Sequence, residues 1–311
     1  MKINKYRFCA VILSLITVLA LFPMQVFAEV PIDSKRECSL EIEFVPEGVK
    51  ASGVKFNAYK VASVTASYEF AVEPQFAQQG VTELLEDPTA ESYNLIASTL
   101  SGVIAADSTI KPDYTAISNS SGTASFQSLK IGLYLIIGEI YHGTKAYYTP
   151  QNFMVSFPER LSNGLWNYDI FAEVKWEKHL KNDPVNLEVL KIWSDSATNL
   201  HANDNVTVEL YGNGTLYDTQ ILNRSNNWNY KWDNLDGGVI WTVIEKDIKG
   251  YIGTVERRED CFVITNVLRE PTKEPPVIPQ TGLLQWPIPM LIAGGVLLVL
   301  IGVYIKRKGE E

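Results

Sequence analysis

The sequence is poor in the residues that most often carry enzyme chemistry or bind metal ions. It has three cysteines and three histidines in 311 residues. The histidines (His142, His179 and His201) are isolated, and no paired-carboxylate or nucleophile motif accompanies them. We therefore predict solvated loop histidines, no enzyme active site and no cofactor or metal, which gives a secreted hydrolase little support.

Cysteine is too scarce for a disulfide framework. Cys9 lies in the N-terminal segment described below, which leaves Cys38 and Cys261. Two cysteines in a chain of this length do not make a disulfide-rich domain. A single bridge and two buried thiols both remain open.

The chain has fewer positively charged than negatively charged residues. The formal net charge is −9, although the two ends carry a net excess of cations. Without those ends, residues 29–281 carry a charge of about −13. Such an acidic body argues against nucleic acid and anionic lipid as partners.

The N-terminus has the pattern of a signal peptide. Lys2, Lys5 and Arg7 precede the apolar run Phe8–Leu21, and Ala28 is a small residue where a signal peptidase would cut. We predict that residues 1–28 are a signal peptide and that the mature, exported chain starts at Glu29.

A second uncharged apolar run lies near the C-terminus. Ile288–Ile305 holds 18 residues, which as a helix would span about 27 Å at ~1.5 Å per residue. Lys306, Arg307 and Lys308 follow and would stay cytoplasmic. Residues 282–311 are thus predicted to hold a transmembrane helix and a basic tail in the precursor. A plain tail-anchored membrane protein would show the same two features.

The five residues before this tail add information. Ile278, Pro279, Gln280, Thr281 and Gly282 resemble the LPXTG cell-wall sorting signal of Gram-positive surface proteins, with isoleucine in place of leucine. The resemblance implies a sortase that cuts between Thr281 and Gly282 and joins the threonine to an amine. It also implies a chain covalently attached to peptidoglycan.

Most of the mature chain reads as short β-strands, which predicts an all-β fold. In a first domain, residues 29–181, the predicted strands are Ser39–Phe44, Val54–Ala62, Thr123–Phe126, Gly132–Ile140, Tyr147–Phe157 and Trp166–Trp176. One segment departs from this pattern, because apolar residues recur at helical spacing between Tyr93 and Ala106. A helix that packs on the core is expected there.

A second domain, residues 183–269, follows a break at Lys181–Pro184. Its predicted strands are Val185–Trp193, Asn205–Tyr211, Leu216–Asn223, Trp228–Trp232, Val239–Glu245, Tyr251–Glu256 and Phe262–Leu268. Seven short strands suit one immunoglobulin-like sandwich. Residues 270–281 are rich in proline and are expected to form a stiff stalk that carries the sorting motif.

Three strands of the second domain each direct one polar side chain toward an apolar face. By alternation, Lys191 shares a face with Val189 and Trp193, Glu245 with Trp241, and Asn266 with neighbouring apolar residues. Burial of a single ion is costly, so an amine, a carboxyl and an amide in such positions suggest chemistry.

At these residues the segment Leu187–Leu268 resembles the collagen-adhesin B-type (CnaB) domain. The matching pieces are Val189-x-Lys191-x-Trp193, Val208-x-Leu210-Tyr211-x-Asn213-Gly214, Trp228-x-Tyr230-x-Trp232-x-x-Leu235, Trp241-x-Val243-x-Glu245, Gly250-Tyr251 and Phe262-x-Ile264-Thr265-Asn266. The resemblance implies a spontaneous isopeptide bond between Lys191 and Asn266, with Glu245 as the catalytic acid. A buried Lys–Glu pair beside an asparagine that never reacts is the alternative.

The first domain looks like a more distant relative, a pilin N-terminal domain, at Lys55–Ala62 and Gly132–Glu139. The expected fold is therefore two tandem immunoglobulin-like (CnaB-type) sandwiches, the first with a helical insertion. Glu139 occupies the position of the acid. However, Phe44 stands where a lysine would be needed and no asparagine ends the last strand, so no isopeptide bond is predicted here.

Trp166–Lys175 resembles the pilin motif WxxxVxVYPK, although Glu173-Val174 replaces the Tyr-Pro pair. In that family the lysine amine is joined to the threonine of another subunit. Lys175 is thus the candidate intersubunit acceptor, and Lys178, Lys181 and Lys273 are alternatives.

The size and motifs together resemble a minor, basal pilin, which ends the polymer and attaches it to the wall. The implied partners are a shaft pilin subunit, pilin and wall-anchoring sortases, and peptidoglycan. A monomeric wall-anchored adhesin that binds a host surface ligand is the alternative.

Overall fold

The computed structural model describes residues 30–77, 80–195, 201, 204–246, 248 and 250–269. The predicted signal peptide, stalk, sorting motif and C-terminal apolar run lie outside them. The described residues through Leu268 form one compact unit, which is mostly β-sheet with few helices. No helix in these ranges is long and apolar enough to cross a membrane.

Residues 30–180 form what we call the first lobe, which contains many short strands. Its strands are β1 (Cys38–Glu43), β2 (Lys55–Val64), β3 (Phe70–Val72), β4 (Tyr114–Ile117), β5 (Thr123–Leu129), β6 (Gly132–Gly138), β7 (Tyr141–His142), β8 (Ala146–Pro150), β9 (Phe153–Phe157), β10 (Glu159–Arg160), β11 (Trp166–Asn167), β12 (Asp169–Glu173) and β13 (Trp176–Leu180). Its helices are α1 (Val81–Leu84) and α2 (Ala90–Ala106).

A five-stranded sheet in the first lobe is covered on both faces. Its strand order is β3-β2-β6-β9, with β4 also paired to β2. Phe56 and Tyr134 lie in one apolar cluster with residues of β1, β5 and β8, whereas Val61 and Leu133 lie in a second cluster with the helices. Strand β6 is almost continuously apolar because both of its faces are buried.

Helix α2 confirms the helical pattern between Tyr93 and Ala106. It starts one turn earlier than the stripe, because the Thr89 side chain caps it by accepting a hydrogen bond from the Ser92 N–H at 3.1 Å. Ile96 and Leu100 are fully buried on its sheet-facing side.

Residues 184–268 form the second lobe, a sandwich of two sheets in which most neighbouring strands are antiparallel. Its strands are β14 (Pro184–Ser194), β15 (Val206–Gly212), β16 (Thr215–Leu222), β17 (Asn229–Asp236), β18 (Trp241–Glu245), β19 (Tyr251–Arg258) and β20 (Cys261–Leu268). One sheet has the order β17-β14-β20-β19 and the other β16-β15-β18. All seven predicted strands are present, and their inward side chains form one core.

Helix α2 also contacts the second lobe. The Thr99 hydroxyl accepts a hydrogen bond from the Val255 N–H at 2.9 Å, which occupies a backbone donor on edge strand β19. A side-chain carbon at Gly102 would lie 2.6 Å from the Val243 carbonyl oxygen. The helix thus lies against both β18 and β19.

Two predicted strands of the first lobe were wrong in extent. Tyr147–Phe157 is divided after Pro150, because β8 and β9 belong to different sheets. Trp166–Trp176 is likewise divided into β11, β12 and the start of β13, which pair with three different partners. A change of sheet depends on tertiary contacts, so the local sequence pattern does not show it.

Candidate functional site

The predicted bond-forming residues come from three strands on both sheets of the second lobe. Lys191 lies on β14 and Asn266 on the adjacent parallel strand β20, while Glu245 reaches them from β18 of the opposite sheet. In the β14–β20 register, Lys191 pairs with Ile264, and Trp193 with Asn266. Lys191 and Asn266 are therefore diagonal neighbours on the core-facing side.

Lys191 is buried, with no exposed surface on its side chain. Its ammonium nitrogen Nζ donates to the Ile192 carbonyl oxygen at 3.0 Å and lies 3.6 Å from Glu245 Oε1. Burial lowers the pKa of Lys191 from 10.5 to about 8, although the nearby Glu245 carboxylate opposes that shift. Burial thus favours the neutral amine, which is the nucleophilic form.

Glu245 Oε1 lies between the amine and the amide. Asn266 Nδ2 donates to it at 3.1 Å, and the Glu245 side chain is only 7% exposed. Asn266 is 1% exposed, and its Oδ1 has no hydrogen-bond partner among the described residues. One carboxyl oxygen can therefore take a proton from the attacking nitrogen and give it to the leaving nitrogen.

An aromatic cover over this site was missed by the sequence analysis. The Trp193 ring lies 4.4 Å from Lys191 Nζ and stacks on His201 at a centroid separation of 3.6 Å. His201 is 8% exposed, and its two ring nitrogens lie 2.7 Å from carboxylate oxygens of Asp195 and Asp204.

The prediction of a solvated His201 was therefore wrong. No residue pattern around it signalled burial, because its contacts with Trp193, Asp195 and Asp204 have no sequence signature.

Lys175 lies between β12 and β13 and is exposed. It lines a cavity of about 310 Å³, and no described residue forms an ion pair with it. The alternative Lys178 differs, because its Nζ lies 2.8 and 2.9 Å from the two carboxylate oxygens of Glu47, which raises the pKa of Lys178.

The other alternative in the described residues is Lys181, whose Nζ lies over the Tyr147 ring, 5.4 Å from its centroid. Lys273 and Ile278–Gly282 lie outside the described residues.

Two further expectations concern Glu139 and the cysteines. Glu139 follows β6 and forms a half-exposed ion pair with Lys55. Cys38 and Cys261 are both free thiols, and Cys38 is buried. Burial raises the pKa of Cys38 to about 11, which makes that thiol unreactive.

Comparison with known proteins defines the class of the second lobe. Residues 187–267 match the family model of the Cna protein B-type domain. The second lobe thus contains a Cna B-type domain, which covers about a quarter of the chain. A search of curated protein sequences gave no match.

Solved structures that match this chain include surface and pilus proteins. A single B repeat of the collagen-binding surface protein Cna of Staphylococcus aureus is 19% identical, with a TM-score of 0.26 over 76% of this chain and all of that one. The major pilin SpaD of Corynebacterium diphtheriae is 15% identical, with a TM-score of 0.32 over 76% of this chain and 65% of that one.

The basal pilin SpaB of Lactobacillus rhamnosus GG is 16% identical, with a TM-score of 0.29 over 45% of this chain and 95% of that one. Similarities at this level carry no functional argument.

Proposed function

We propose that this chain is a wall-anchored pilus subunit whose B-type domain is closed by an isopeptide bond between Lys191 and Asn266. The observation that carries the bond is the shared oxygen Glu245 Oε1, within 3.6 Å of the amine and 3.1 Å of the amide nitrogen in a buried site. No separate enzyme is needed, because the folded core holds both reactants in place.

The chemistry follows from the three side chains. The neutral Lys191 amine attacks the carboxamide carbon of Asn266, and a new C–N bond forms. Glu245 accepts one amine proton and delivers it to Asn266 Nδ2, the C–Nδ2 bond breaks, and ammonia leaves. Glu245 ends in the protonation state in which it began, so it acts as a catalyst.

The position of the bond suits a subunit that bears tension. The chain enters the second lobe at β14 and leaves it at β20, and Lys191 and Asn266 lie on these two strands. A covalent link between them carries force past the rest of the lobe. A pilus subunit that is fixed at one end to a wall is pulled, and it needs to resist unfolding under that pull.

Within the pilus we assign the chain to the base. The sorting motif at Thr281 supplies the attachment to peptidoglycan, and exposed Lys175 supplies the amine that receives the threonine of a shaft subunit. Lys175 and Lys178 are both exposed, and the choice of Lys175 is supported by the ion pair with Glu47 that holds the ammonium of Lys178.

The test is Lys175→Ala in the native host, with Lys178→Ala as the matched control. We expect Lys175→Ala to release shaft polymers into the medium, because the shaft loses its link to the base, and we expect Lys178→Ala to leave the pili attached. Unchanged attachment in Lys175→Ala would contradict the assignment. Host-ligand binding by the isolated protein without any linkage to a shaft would instead favour a monomeric adhesin.

A further inference from the structure

Gly253 lies on β19, directly opposite Asn266 in the antiparallel register with β20. Its backbone does not adopt the left-handed conformation that favours glycine, unlike seven other described glycines. Glycine in the interior of a strand normally weakens it, and often marks a place where another group comes close. The reason for a glycine here must therefore lie in its surroundings.

Those surroundings are two of the three reacting groups. A side-chain carbon at residue 253 would lie 2.6 Å from Glu245 Oε2 and 3.0 Å from Asn266 Oδ1. Both distances are too short for van der Waals contact. The space above Gly253 is thus already filled by the carboxyl and the amide of the site.

We propose that Gly253 is a positioning residue for the Lys191–Asn266 bond, because its missing side chain makes room for Glu245 between the amine and the amide. This inference rests on the bond proposed above. Gly253 does not touch the amine and takes no part in proton transfer. It acts through the placement of Glu245 and through the space left beside Asn266 Oδ1.

The two close contacts affect the reaction at different points. If alanine occupied residue 253, the carboxyl group would have to move, because it is the end of a flexible side chain. Glu245 Oε1 would then leave its place near Lys191 Nζ and Asn266 Nδ2, and proton transfer between those nitrogens would slow. The methyl group would also crowd Oδ1, which gains negative charge as the carboxamide carbon becomes tetrahedral.

The expected size of the effect follows from the role of the acid. A well-placed general acid–base contributes a factor of about 10² to 10⁴ in rate. Displacement of the carboxyl, short of its removal, should cost part of that factor. We expect bond formation in Gly253→Ala to be about 10- to 100-fold slower.

The experiment follows ammonia loss in newly made full-length mature chain. A short pulse of cell-free synthesis is chased, and intact mass is recorded over time for wild type, Gly253→Ala and Glu245→Ala. Wild type should lose ammonia fastest, Gly253→Ala slowly and Glu245→Ala not at all. Loss at the wild-type rate in Gly253→Ala would overturn the role of Gly253 alone. Full mass in wild type would overturn the bond itself, and the role of Gly253 with it.

A second measurement separates positioning from ordinary packing. Gly253→Ala is also made in a Lys191→Met background, which cannot form the bond, and thermal unfolding is compared. If Gly253 acts through the bond, alanine should lower the melting temperature much more in the wild-type background, provided that the protein is freshly made and Gly253→Ala is still largely unbonded. An equal drop in both backgrounds would show a merely structural role. The Lys191→Met background also reports directly whether alanine at residue 253 allows the domain to fold.

Discussion

At the scale of single residues, the buried lysine Lys191 is the main feature of the candidate site. Lys191 has no exposed side-chain surface, and its nearest carboxyl oxygen is 3.6 Å away on Glu245. Burial disfavours the ammonium form, and a hydrogen bond to one carbonyl does not replace its water. The proposed bond would convert the amine to an amide and remove that cost, which would be a thermodynamic reason for the reaction to be irreversible in the folded protein.

A variant that cannot form the bond should reveal this cost as a pH dependence. In Asn266→Ala, Lys191 keeps its amine, with a pKa near 8 in the folded state against 10.5 for an ordinary lysine. Between these values the unfolded chain binds more protons, so the free energy of unfolding should rise with pH from about 8 to about 10.5. At ~1.4 kcal/mol per pKa unit, the gain is on the order of 3 kcal/mol.

Denaturant titrations across this pH range would measure the gain. The matched control is the double variant Lys191→Met/Asn266→Ala, in which the rise should disappear because no amine remains. A rise of the same size in the control would mean that other groups cause it.

The sequence revealed only those site residues that place a polar side chain on the apolar face of a strand. Lys191, Glu245 and Asn266 stood out because each interrupts an apolar face of an alternating strand, and the structure places them together. Gly253 and His201 gave no such signal. A glycine in a strand and a histidine in a loop are common, and their roles depend on which distant side chains lie next to them.

At the scale of elements, helix α2 connects the two cores. It packs its buried face on the five-stranded sheet of the first lobe, and Thr99 satisfies a backbone donor of β19. Strand β19 is an edge strand, and such strands expose unpaired backbone groups unless something covers them. The helix thus covers this edge and lies close to the strand that carries Gly253.

Thr99→Val should leave a backbone N–H of that edge strand without its hydrogen-bond partner. Valine has nearly the same shape but cannot accept the hydrogen bond from Val255, so a buried N–H loses its partner at a cost of about 1–3 kcal/mol. We expect faster amide hydrogen exchange at Val255 and lower stability of the second lobe. Thr99→Ser keeps the hydroxyl and should retain slow exchange. Equal protection in Thr99→Val and wild type would contradict the role given to this hydrogen bond.

The elements themselves were predictable to different degrees. All seven predicted strands of the second lobe are present, because short runs of β-branched and aromatic residues between turn signals marked each of them. Helix α2 was found from its period. The first lobe was harder, because the chain changes sheets at Pro150 and near Tyr168 without a local signal. Its five-stranded sheet is also buried on both faces, which removes the alternation that marks a strand.

At the scale of the whole molecule, the bond would change how the second lobe responds to unfolding. A link between Lys191 and Asn266 closes a loop of about 75 residues, and a cross-link of that length restricts the unfolded chain by about 4 kcal/mol. For a domain of this size, that corresponds to roughly 20 °C in melting temperature.

Under force the difference should be larger still. When the mature chain is pulled by its ends in a single-molecule experiment, residues 192–265 should never extend in the wild type, since the bond carries the load past them. Lys191→Ala should show an additional unfolding step with the contour length of those residues. The same step in the wild type would show that the lobe is not clamped.

The intact mass of the mature chain tests the central claim most directly. The account predicts that wild-type residues 29–281 are lighter than their sequence by one ammonia, and that a protease digest contains one branched peptide that joins Lys191 to Asn266. Lys191→Ala and Asn266→Ala should each have the full mass of their sequence. A wild-type chain with its full mass, and with Lys191 and Asn266 recovered in separate linear peptides, would contradict the account.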